Sequence, residues 1–316
     1  MRETGLSMRT IAKKLGRSPN AISYELRHNQ VSSAYDPGKA ERKAYQRRRD
    51  AKYQGMKVSR HTDLRRYVDT HLYDDLSPEA IAGRVTRHEK HLPSISKNSI
   101  RRYIESSFGG KVAWHRIIQR KKRTWRKKRV KVIQLTDRTF IDKRPQYIQK
   151  RERVGDAEAD FILSGNSGRG ILLTLACRKI RVSFIEEILD ITIPHVHLAF
   201  QRIKKRFPEL MSISTDNDIL LKKHKELEKL LGVKIYFCHP YHSWEKGTIE
   251  NTNKYIRKDI PKGSDISPYS KRFIKKLEAK LNRRFMEVLN YRTPHEMLEA
   301  HRKQKKRRSA VRSQKK

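Results

Sequence analysis

The stretch DAEADFILSGNSGRGILLTLAC, residues 156–177, decides the fold of the larger part of the chain. It contains two apolar runs, at 157–163 and 171–177, that have the length and composition of β-strands. Further elements are predicted downstream: strands at 182–188, 211–215 and 233–238, and helices at 194–206, 220–231, 247–259 and 269–289. Strands that first follow one another and then alternate with helices predict an α/β layer fold with a mixed sheet over residues 151–300.

The N-terminal residues follow a helical pattern instead. An apolar stripe with helical spacing runs from Met8 to Leu15 and stops at Gly16, a residue type that often ends helices. Ser18 and Pro19 then have the order of an N-cap and a first helical residue. Two short helices joined by a tight turn that contains glycine predict a helix-turn-helix DNA-binding unit at residues 1–30.

The second helix of such a unit is expected to enter the major groove of DNA. The side chains that point away from its apolar face are candidates for base or phosphate contact: Asn20, Ser23, Tyr24 and Arg27. Arg17 and Ser18, at the start of the helix, are expected to hold phosphate.

The rest of the chain divides by composition. Residues 31–65 are predicted to be a basic linker with some helix, and residues 66–110 a second helix-turn-helix-like unit, with helix starts at Ser77-Pro78 and Ser96. Residues 111–150 are predicted to be a second basic linker, which includes the run QRKKRTWRKKRVK at 119–131. Residues 301–316 are predicted to be a basic, disordered tail. The N-terminal part is therefore expected to be all-α.

Charge indicates the partner. The 316 residues include 75 Lys plus Arg against 34 Asp plus Glu, a formal net charge of +41. A charge of this size repels itself unless a polyanion neutralises it, which favours double-stranded DNA, with a basic ribosome-associated protein as the alternative. No apolar run is long enough to cross a membrane, and the two cysteines fit neither a disulfide framework nor a zinc pattern. A cytoplasmic, prokaryotic, nucleoid-associated protein is expected.

Three carboxylates stand at positions suited to chemistry. Asp160 lies on the first predicted strand, Asp216 ends a short apolar strand, and Glu250 lies early on a helix whose same face carries Lys254 and Arg257. Transfer at a DNA phosphodiester uses two Mg²⁺ ions about 4 Å apart, and Mg²⁺ prefers a few carboxylates together with water and phosphate oxygens. Three acids from two strands and a helix fit that requirement.

The segment YFCHPYHSWEKGTIENTNKYIRKDIPKGSDIS, residues 236–267, resembles the catalytic core of the transposases of the insertion-sequence-thirty family. That family carries an aromatic-Pro-Tyr-x-Ser-Trp-x-x-Gly-Thr-x-Glu-Asn-Thr-Asn stretch and then Pro-Lys-Gly-Thr/Ser-Asp. The matching residues are Pro240, Tyr241, Ser243, Trp244, Gly247, Thr248, Glu250, Asn251, Thr252, Asn253, Pro261, Lys262, Gly263, Ser264 and Asp265. The 33 residues between Asp216 and Glu250 are the spacing that the resemblance implies for the second and third catalytic acids, and RERVGDAEAD maps the first acid to Asp160.

The resemblance implies an RNase H-like, integrase-type core and a DDE mechanism with Mg²⁺, for which Mn²⁺ is a substitute. Asp160, Asp216 and Glu250 would be both the catalytic residues and the metal ligands, and Lys254 and Arg257 would steady the DNA backbone. It implies a transposase that binds the terminal inverted repeats of a mobile element and catalyses strand cleavage and transfer. Because two element ends must be joined, a homodimer or larger assembly on DNA is expected.

The sequence departs from the family pattern in a few places. Ala157 stands where the family has an aromatic residue, and Asp218 where it has glycine in a loop that is expected to need freedom in φ. The Arg-Pro-Arg-Lys pattern near the C-terminal helix is reduced to Arg283, Arg284, Phe285. The resemblance also implies a helix ahead of the first helix-turn-helix. Asp218 is the feature that would favour the alternative function, a catalytically decayed transposase that acts as a DNA-binding repressor; a metal-dependent nuclease is a second rival.

Several neighbouring residues have simpler interpretations. Asp156 and Glu158 are expected to have a structural role or to support the ligands, with direct ligation as the alternative. His239 and His242 do not have a zinc spacing, so no metal site is expected there. Glu245 is a weaker choice than Glu250 as the third acid, and Trp244 is expected to pack beside the site, with a grip on the DNA end as the alternative. In the second strand, Cys177 is expected to be a core residue.

Overall fold

The computed structural model describes residues 5–29, 35–52, 56–120, 137–165, 168–239 and 242–314. Its strands are β1 (Asp156–Leu163), β2 (Ile171–Cys177), β3 (Ser183–Ile188), β4 (Ser212–Thr215) and β5 (Lys234–Phe237). Its helices are α1 (Met8–Leu15), α2 (Pro19–Asn29), α3 (Pro37–Lys52), α4 (Met56–Arg60), α5 (Thr62–Tyr73), α6 (Pro78–Arg87), α7 (Lys97–Glu105), α8 (Gly110–Arg120), α9 (Gln146–Gln149), α10 (Ile193–Arg206), α11 (His224–Leu231), α12 (Gly247–Asp259), α13 (Lys271–Asn282) and α14 (Pro294–Gln314). No helix among these residues has the length and apolar character that a membrane crossing requires.

The five strands form one mixed sheet in the order β3-β2-β1-β4-β5. β1 pairs antiparallel with β2 and parallel with β4, and β4 pairs parallel with β5. β1 is therefore the central strand, with Glu158 opposite Ser214 of β4. The mixed sheet expected of an RNase H-like core is confirmed.

Helices cover both faces of the sheet. On one face, Ala157 and Ala159 of β1 join a core that includes residues of α10 and α11. On the other face, Ile162 of β1 packs with apolar residues of α12 and α13. Because side chains alternate along a strand, Glu158 and Asp160 lie on the same face as Ile162, the face that α12 covers.

The helix-turn-helix at the N-terminus forms as predicted. The Ser18 hydroxyl accepts a hydrogen bond from the N–H of Ala21 at 3.2 Å and so caps α2. Gly16 ends α1 with φ of 59°, a left-handed conformation that glycine adopts without strain. Ile11 and Ala12 are buried on the inner side of α1.

The second helical unit is larger than predicted. α6 and α7 begin where expected and are capped by Ser77 and Ser96, but residues 88–96 form a nine-residue connection instead of a tight turn. The predicted linker boundary at residue 65 is wrong, because Val58 and Leu64 are fully buried in the core shared by α4 to α8. The composition of this segment is mostly polar, so the sequence gives little sign of a folded unit. A few buried apolar residues are nevertheless enough to anchor its short helices.

The predicted linker at 111–150 is also too wide. α8 extends to Arg120, and Ile141 and Ile148 are buried in the segment that leads to β1. Most of the basic run at 119–131 lies outside the described residues.

The predicted disordered tail is helical as far as Gln314. Arg302 donates to the carboxylate of Glu209 at 2.8 Å, and lysine and arginine are good helix formers, so α14 continues through the basic run. The helix predicted at 269–289 ends earlier, at Asn282, because Phe285 leaves the helix and packs in the core of the second helical unit.

Candidate active site

β1 and α12 hold Asp160. One carboxylate oxygen, Oδ2, accepts a hydrogen bond from the side-chain amide of Asn253 at 2.8 Å, and the other, Oδ1, lies 3.3 Å from Nζ of Lys246. Asn253 lies on α12, and Lys246 immediately precedes that helix. Asp160 is thus held from two successive turns of the same helical segment.

Asp216 lies just past the end of β4, with its side chain 57% exposed, and its Oδ2 is 2.7 Å from Nζ of Lys246. The parallel pairing of β1 with β4 runs as far as Glu158 and Ser214, and just beyond it Asp160 and Asp216 both contact Lys246. The Lys246 side chain is only 3% exposed. A buried ammonium group therefore bridges the first two predicted acids.

Glu250 is half-buried on α12. It follows Lys246 by four residues and precedes Asn253 by three, so it shares a helix face with two residues that contact Asp160. The three acids do not come together as closely as a set of metal ligands: in the described part of the chain, the group of side chains with ligand atoms all within 4.8 Å is His239, His242 and Glu245. Glu250 thus shares a helix face with Lys246 and Asn253 but does not form one ligand group with the two aspartates.

Glu158 fixes the position of α12. One oxygen of its buried carboxylate accepts hydrogen bonds from the backbone N–H groups of Thr248 and Ile249, at 2.8 and 2.9 Å, and the other pairs with Arg178 at 2.7 Å. A negative charge at a helix N-terminus is favoured by the free N–H groups and by the helix dipole. Because Glu158 lies on β1, these hydrogen bonds fix the first turn of α12, which carries Glu250, relative to that strand.

Asp156 is likewise structural. It is fully buried, pairs with Arg153 at 2.8 Å, and accepts a hydrogen bond from the hydroxyl of Ser212 at 2.6 Å. The structural roles predicted for Asp156 and Glu158 are confirmed.

The charged groups of the site shift one another's pKa values in opposite directions. Burial raises the pKa of Asp160, and the neighbouring charge of Asp216 raises it further, while Lys246 acts in the opposite direction. Burial alone would lower the pKa of Lys246, but the carboxylates of Asp160 and Asp216 outweigh it, and the pKa is raised. The amine therefore stays protonated at neutral pH, and its charge compensates the two acids.

Asp218 does not strain its loop. Its φ is −89° and ψ is 138°, an ordinary extended conformation, and its Oδ1 accepts from the N–H of Leu220 at 2.9 Å. The expectation that this position needs the freedom of glycine is wrong, because the chain here leads into a short 3-10 turn that a carboxylate can cap. Burial raises the pKa of Asp218, and the charges of Asp160 and Asp216 add to this.

The donor set of the first two acids fits Mg²⁺. Both offer hard carboxylate oxygens, which are the ligands that Mg²⁺ prefers. A cation, the ammonium of Lys246, already occupies the space between them. The exposure of Asp216 leaves room for the water molecules that Mg²⁺ retains.

The two basic residues predicted on α12 differ in their surroundings. Lys254 is exposed, whereas Arg257 is half-buried and donates to the carbonyl of Pro261 at 3.3 Å. Burial lowers the pKa of Arg257. Lys254 is thus the better placed of the two to meet a phosphate.

The predicted DNA-contact residues of α2 lie mostly on its outer face. Those with exposed side chains are Arg17, Ser18, Asn20, Tyr24 and Arg27, while Ser23 is half-buried. The ring of Tyr24 lies 4.3 Å from that of His28, centroid to centroid. The Ser18 hydroxyl caps the helix and is thereby already engaged.

Three predictions near the site had different outcomes. Trp244 is 71% exposed, so its predicted packing is wrong; the indole points to solvent beside His242. Cys177 is fully buried in the core, as predicted. Glu245 is turned toward His239, and although burial acts to raise its pKa, the hydrogen bonds from His239 outweigh this and lower it.

Lys246 and Arg178 were not predicted as site residues. The position of Lys246 four residues before Glu250 was the available signal, because that spacing places both side chains on one helix face. The role of Arg178 depends on a contact with Glu158, twenty residues earlier in the chain, which no local pattern encodes.

Comparison with known proteins finds relatives along nearly the whole chain. Residues 1–29 match a family described as a helix-turn-helix domain. The transposase for insertion sequence element IS4351 of Bacteroides fragilis is 34% identical over 304 residues, covering 94% of this chain and 91% of that protein. The transposase InsI for insertion sequence element IS30A of Escherichia coli K12 is 30% identical over 308 residues, covering 93% of this chain and 79% of that protein.

Among solved structures, the catalytic core domain of BIV integrase aligns with a TM-score of 0.38 at 17% identity, over 48% of this chain and 97% of that one. The family assignment rests on the two transposases that match nearly the whole chain. The chain belongs to the IS30 family of insertion-sequence transposases.

Proposed function

We propose that this protein binds the terminal inverted repeats of a mobile element and catalyses metal-dependent cleavage and transfer of DNA strands, with Asp160, Asp216 and Glu250 as the catalytic, metal-binding acids. The observation that carries the proposal is that Asp160 and Asp216 lie close enough to share one cation, the ammonium group of Lys246. In support, Asp160 lies on β1, Asp216 lies just past the end of the neighbouring parallel strand β4, and Glu250 lies on α12 between Lys246 and Asn253, which both contact Asp160.

Each residue has a defined task in this proposal. Asp160, Asp216 and Glu250 would hold two Mg²⁺ ions, with Mn²⁺ as a substitute. When bound, these ions supply activation of an oxygen nucleophile and stabilisation of the leaving oxygen. Asn253 orients the Asp160 carboxylate through its hydrogen bond, and Glu158 fixes the helix that carries Glu250.

Two displacements at phosphorus account for the reaction. In the first, the oxygen of water bonds to phosphorus and the 3′ oxygen of the element end leaves as a hydroxyl. In the second, that hydroxyl bonds to a phosphorus of the target DNA and displaces its 3′ oxygen. Because neither step needs a covalent link to the protein, no serine or tyrosine nucleophile is assigned.

The DNA partner follows from charge and from the helix-turn-helix. A net charge of +41 favours a polyanion, and α2 presents Asn20, Tyr24 and Arg27 on an exposed face. Joining two element ends requires two copies of the recognition unit, so the working form is a homodimer or larger assembly on DNA at the bacterial nucleoid. Lys254 holds the phosphate backbone next to the acids, and Arg257 supports α12 at its far end.

Strand transfer on end-containing DNA tests the proposal. The native chain with Mg²⁺ or Mn²⁺ should nick the DNA and join it to a target, while Asp216→Asn and Glu250→Gln should bind the same DNA without reaction. Glu226→Gln is the matched control, because Glu226 is an exposed carboxylate on α11, away from the site. Normal binding by the native chain without nicking or joining would remove the enzymatic proposal in favour of a repressor.

The repressor alternative has no support from Asp218. That residue lies in ordinary extended backbone and caps a helical turn, so it does not disturb the loop behind Asp216. Nicked products without joined products would instead indicate a nuclease.

A further inference from the structure

A second group of ligating side chains lies just before α12. His239 follows β5, and His242 and Glu245 lie in the short segment that leads into the helix. Each offers one ligand atom, and these atoms all lie within 4.8 Å of one another. None of the three is among the acids proposed for Mg²⁺.

The distances suit a small tetrahedral metal ion. Metal bonds of about 2.0–2.1 Å in a tetrahedron place neighbouring ligand atoms about 3.3 Å apart. Oε1 of Glu245 lies 3.0 Å from Nδ1 of His239 and 3.7 Å from Nδ1 of His242. The two distances fall on either side of that value, so small side-chain rotations would bring the three atoms to one ion.

His239 has the outer partner that a metal-binding histidine usually has. Its other ring nitrogen, Nε2, lies 2.8 Å from a carboxylate oxygen of Asp142, and its ring stacks on Phe140 at 5.1 Å and 9°. A carboxylate on the far nitrogen fixes the ring and makes the near nitrogen a better donor to metal. Asp142 and Phe140 therefore fix the direction in which Nδ1 of His239 points.

His242 supplies the second observation. Its Nδ1 atom is buried and has no hydrogen-bond partner among the described residues, although the ring as a whole is partly exposed. A buried polar atom without a partner costs free energy. A metal ion placed between Nδ1 and Glu245 would remove that cost.

Glu245 presents one oxygen, Oε1, to both imidazoles. Its Oε2 accepts the backbone N–H of His239 at 2.9 Å, which fixes the carboxylate and turns Oε1 toward the two imidazoles. In the metal-bound form the ion takes the place of the proton on Nδ1 of His239. The imidazole and carboxylate ligands favour Zn²⁺ and related first-row metals over Mg²⁺.

We infer that His239, His242 and Glu245 form a binding site for a divalent transition metal of the Zn²⁺ class, with Asp142 as the outer partner of His239. The ion ties the end of β5 to the segment that carries Lys246 and begins α12. It thereby stabilises the positions of Lys246 and Glu250 without taking part in the reaction. Three protein ligands leave the fourth position to water.

The two histidines alone did not reveal this site. Their spacing fits no zinc pattern, and in the sequence the position of Glu245 suggests only a rival to Glu250 as the third acid. The fold brings the carboxylate back onto both rings, because residues 243–246 form a helical turn that reverses toward His239.

Calorimetric titration of the full-length protein with Zn²⁺ tests the inference. The native chain should bind one Zn²⁺ per chain at this site, and His239→Ala and His242→Ala should each abolish that binding step. Asp142→Asn should weaken it about 10- to 100-fold, since loss of an outer partner typically has that effect on metal affinity. His195→Ala is the matched control, because His195 is also paired with a carboxylate, Asp190, but lies at the start of α10.

Asp216→Asn separates this site from the proposed catalytic one. It should remove strand transfer and leave the Zn²⁺ step in place, whereas His242→Ala should remove the Zn²⁺ step. Circular dichroism of each variant shows that the fold is kept. A native chain that binds no Zn²⁺, or binding that survives both histidine substitutions, would overturn the inference.

Discussion

The ammonium nitrogen of Lys246 lies 2.7 Å from a carboxylate oxygen of Asp216 and 3.3 Å from one of Asp160. One buried cation therefore joins an acid on β1 to an acid just past the end of β4. In the proposed mechanism metal ions would take that position, so Lys246 has to move when they bind. The lysine keeps the two acids together until then.

Lys246→Met should destabilise the metal-free protein by roughly 1–3 kcal/mol, because it leaves two facing carboxylates without their countercharge. Mg²⁺ should restore more stability to this variant than to the native chain, since the ion would supply the missing charge. Urea unfolding with and without Mg²⁺ measures both effects. Lys254→Met, an exposed lysine on α12, is the control and should change stability by less than about 0.5 kcal/mol. Equal loss in both variants would contradict the role of Lys246 as the countercharge of the two acids.

Asp218→Asn should stabilise the metal-free protein at neutral pH. Burial and two neighbouring carboxylates raise the pKa of Asp218, so its charged form disfavours the folded state. That cost is present above the raised pKa and disappears as the pH falls below the ordinary range of an aspartate. Asparagine keeps an acceptor for the N–H of Leu220. Thermal unfolding from pH 3 to pH 8 should show the stability gain at pH 7 and none at pH 3; a gain independent of pH would contradict the electrostatic explanation.

Glu158→Gln should cost about 3–5 kcal/mol of folding free energy, because the buried guanidinium of Arg178 loses its charged partner. The N-terminus of α12 also loses its anion. Guanidinium unfolding gives the size of the loss. Glu152→Gln, an exposed carboxylate shortly before β1, serves for comparison and should be nearly neutral. If Glu158→Gln proves as stable as that control, Glu158 does not anchor the helix.

Gly155→Ala should destabilise the core by roughly 2–4 kcal/mol. Its φ of 111° is unfavourable for any residue with a Cβ, and that Cβ would lie 2.0 Å from the carbonyl oxygen of Glu209. Gly110→Ala is matched to it, because that position is helical and has open space around it. A comparison of melting temperatures distinguishes the two, and similar values would refute the steric argument.

The outer face of α2 should determine sequence recognition. Asn20→Ala and Arg27→Ala should each weaken binding to element ends about 5- to 150-fold, the effect of losing a base contact worth about 1–3 kcal/mol. Fluorescence anisotropy at several salt concentrations measures this, with Lys229→Ala on α11 as the control. A uniform loss on all DNA, with a salt slope lower by about 1, would mean that the residue contacts phosphate instead of a base.

Most secondary structure was predictable because its signals are local. The apolar run of β1 and the Ser18 cap of α2 depend only on neighbouring residues, and both the strand and the cap formed as predicted. The boundaries at residue 65, in 111–150 and in the C-terminal tail were wrong. In those places a few long-range contacts, such as Arg302 with Glu209, override a local composition that looks disordered.

Periodicity, capping and a long motif are written in consecutive residues, so the strands of the sheet, the helix-turn-helix and the three candidate acids could be predicted without a structure. Three contacts could be seen only in the folded protein: Lys246 bridges Asp160 and Asp216, Glu158 holds α12, and Glu245 lies beside His239 and His242. These contacts depend on strand register and on how α12 packs across the sheet. Both are set by burial of apolar residues from distant parts of the chain, so no local pattern contains them.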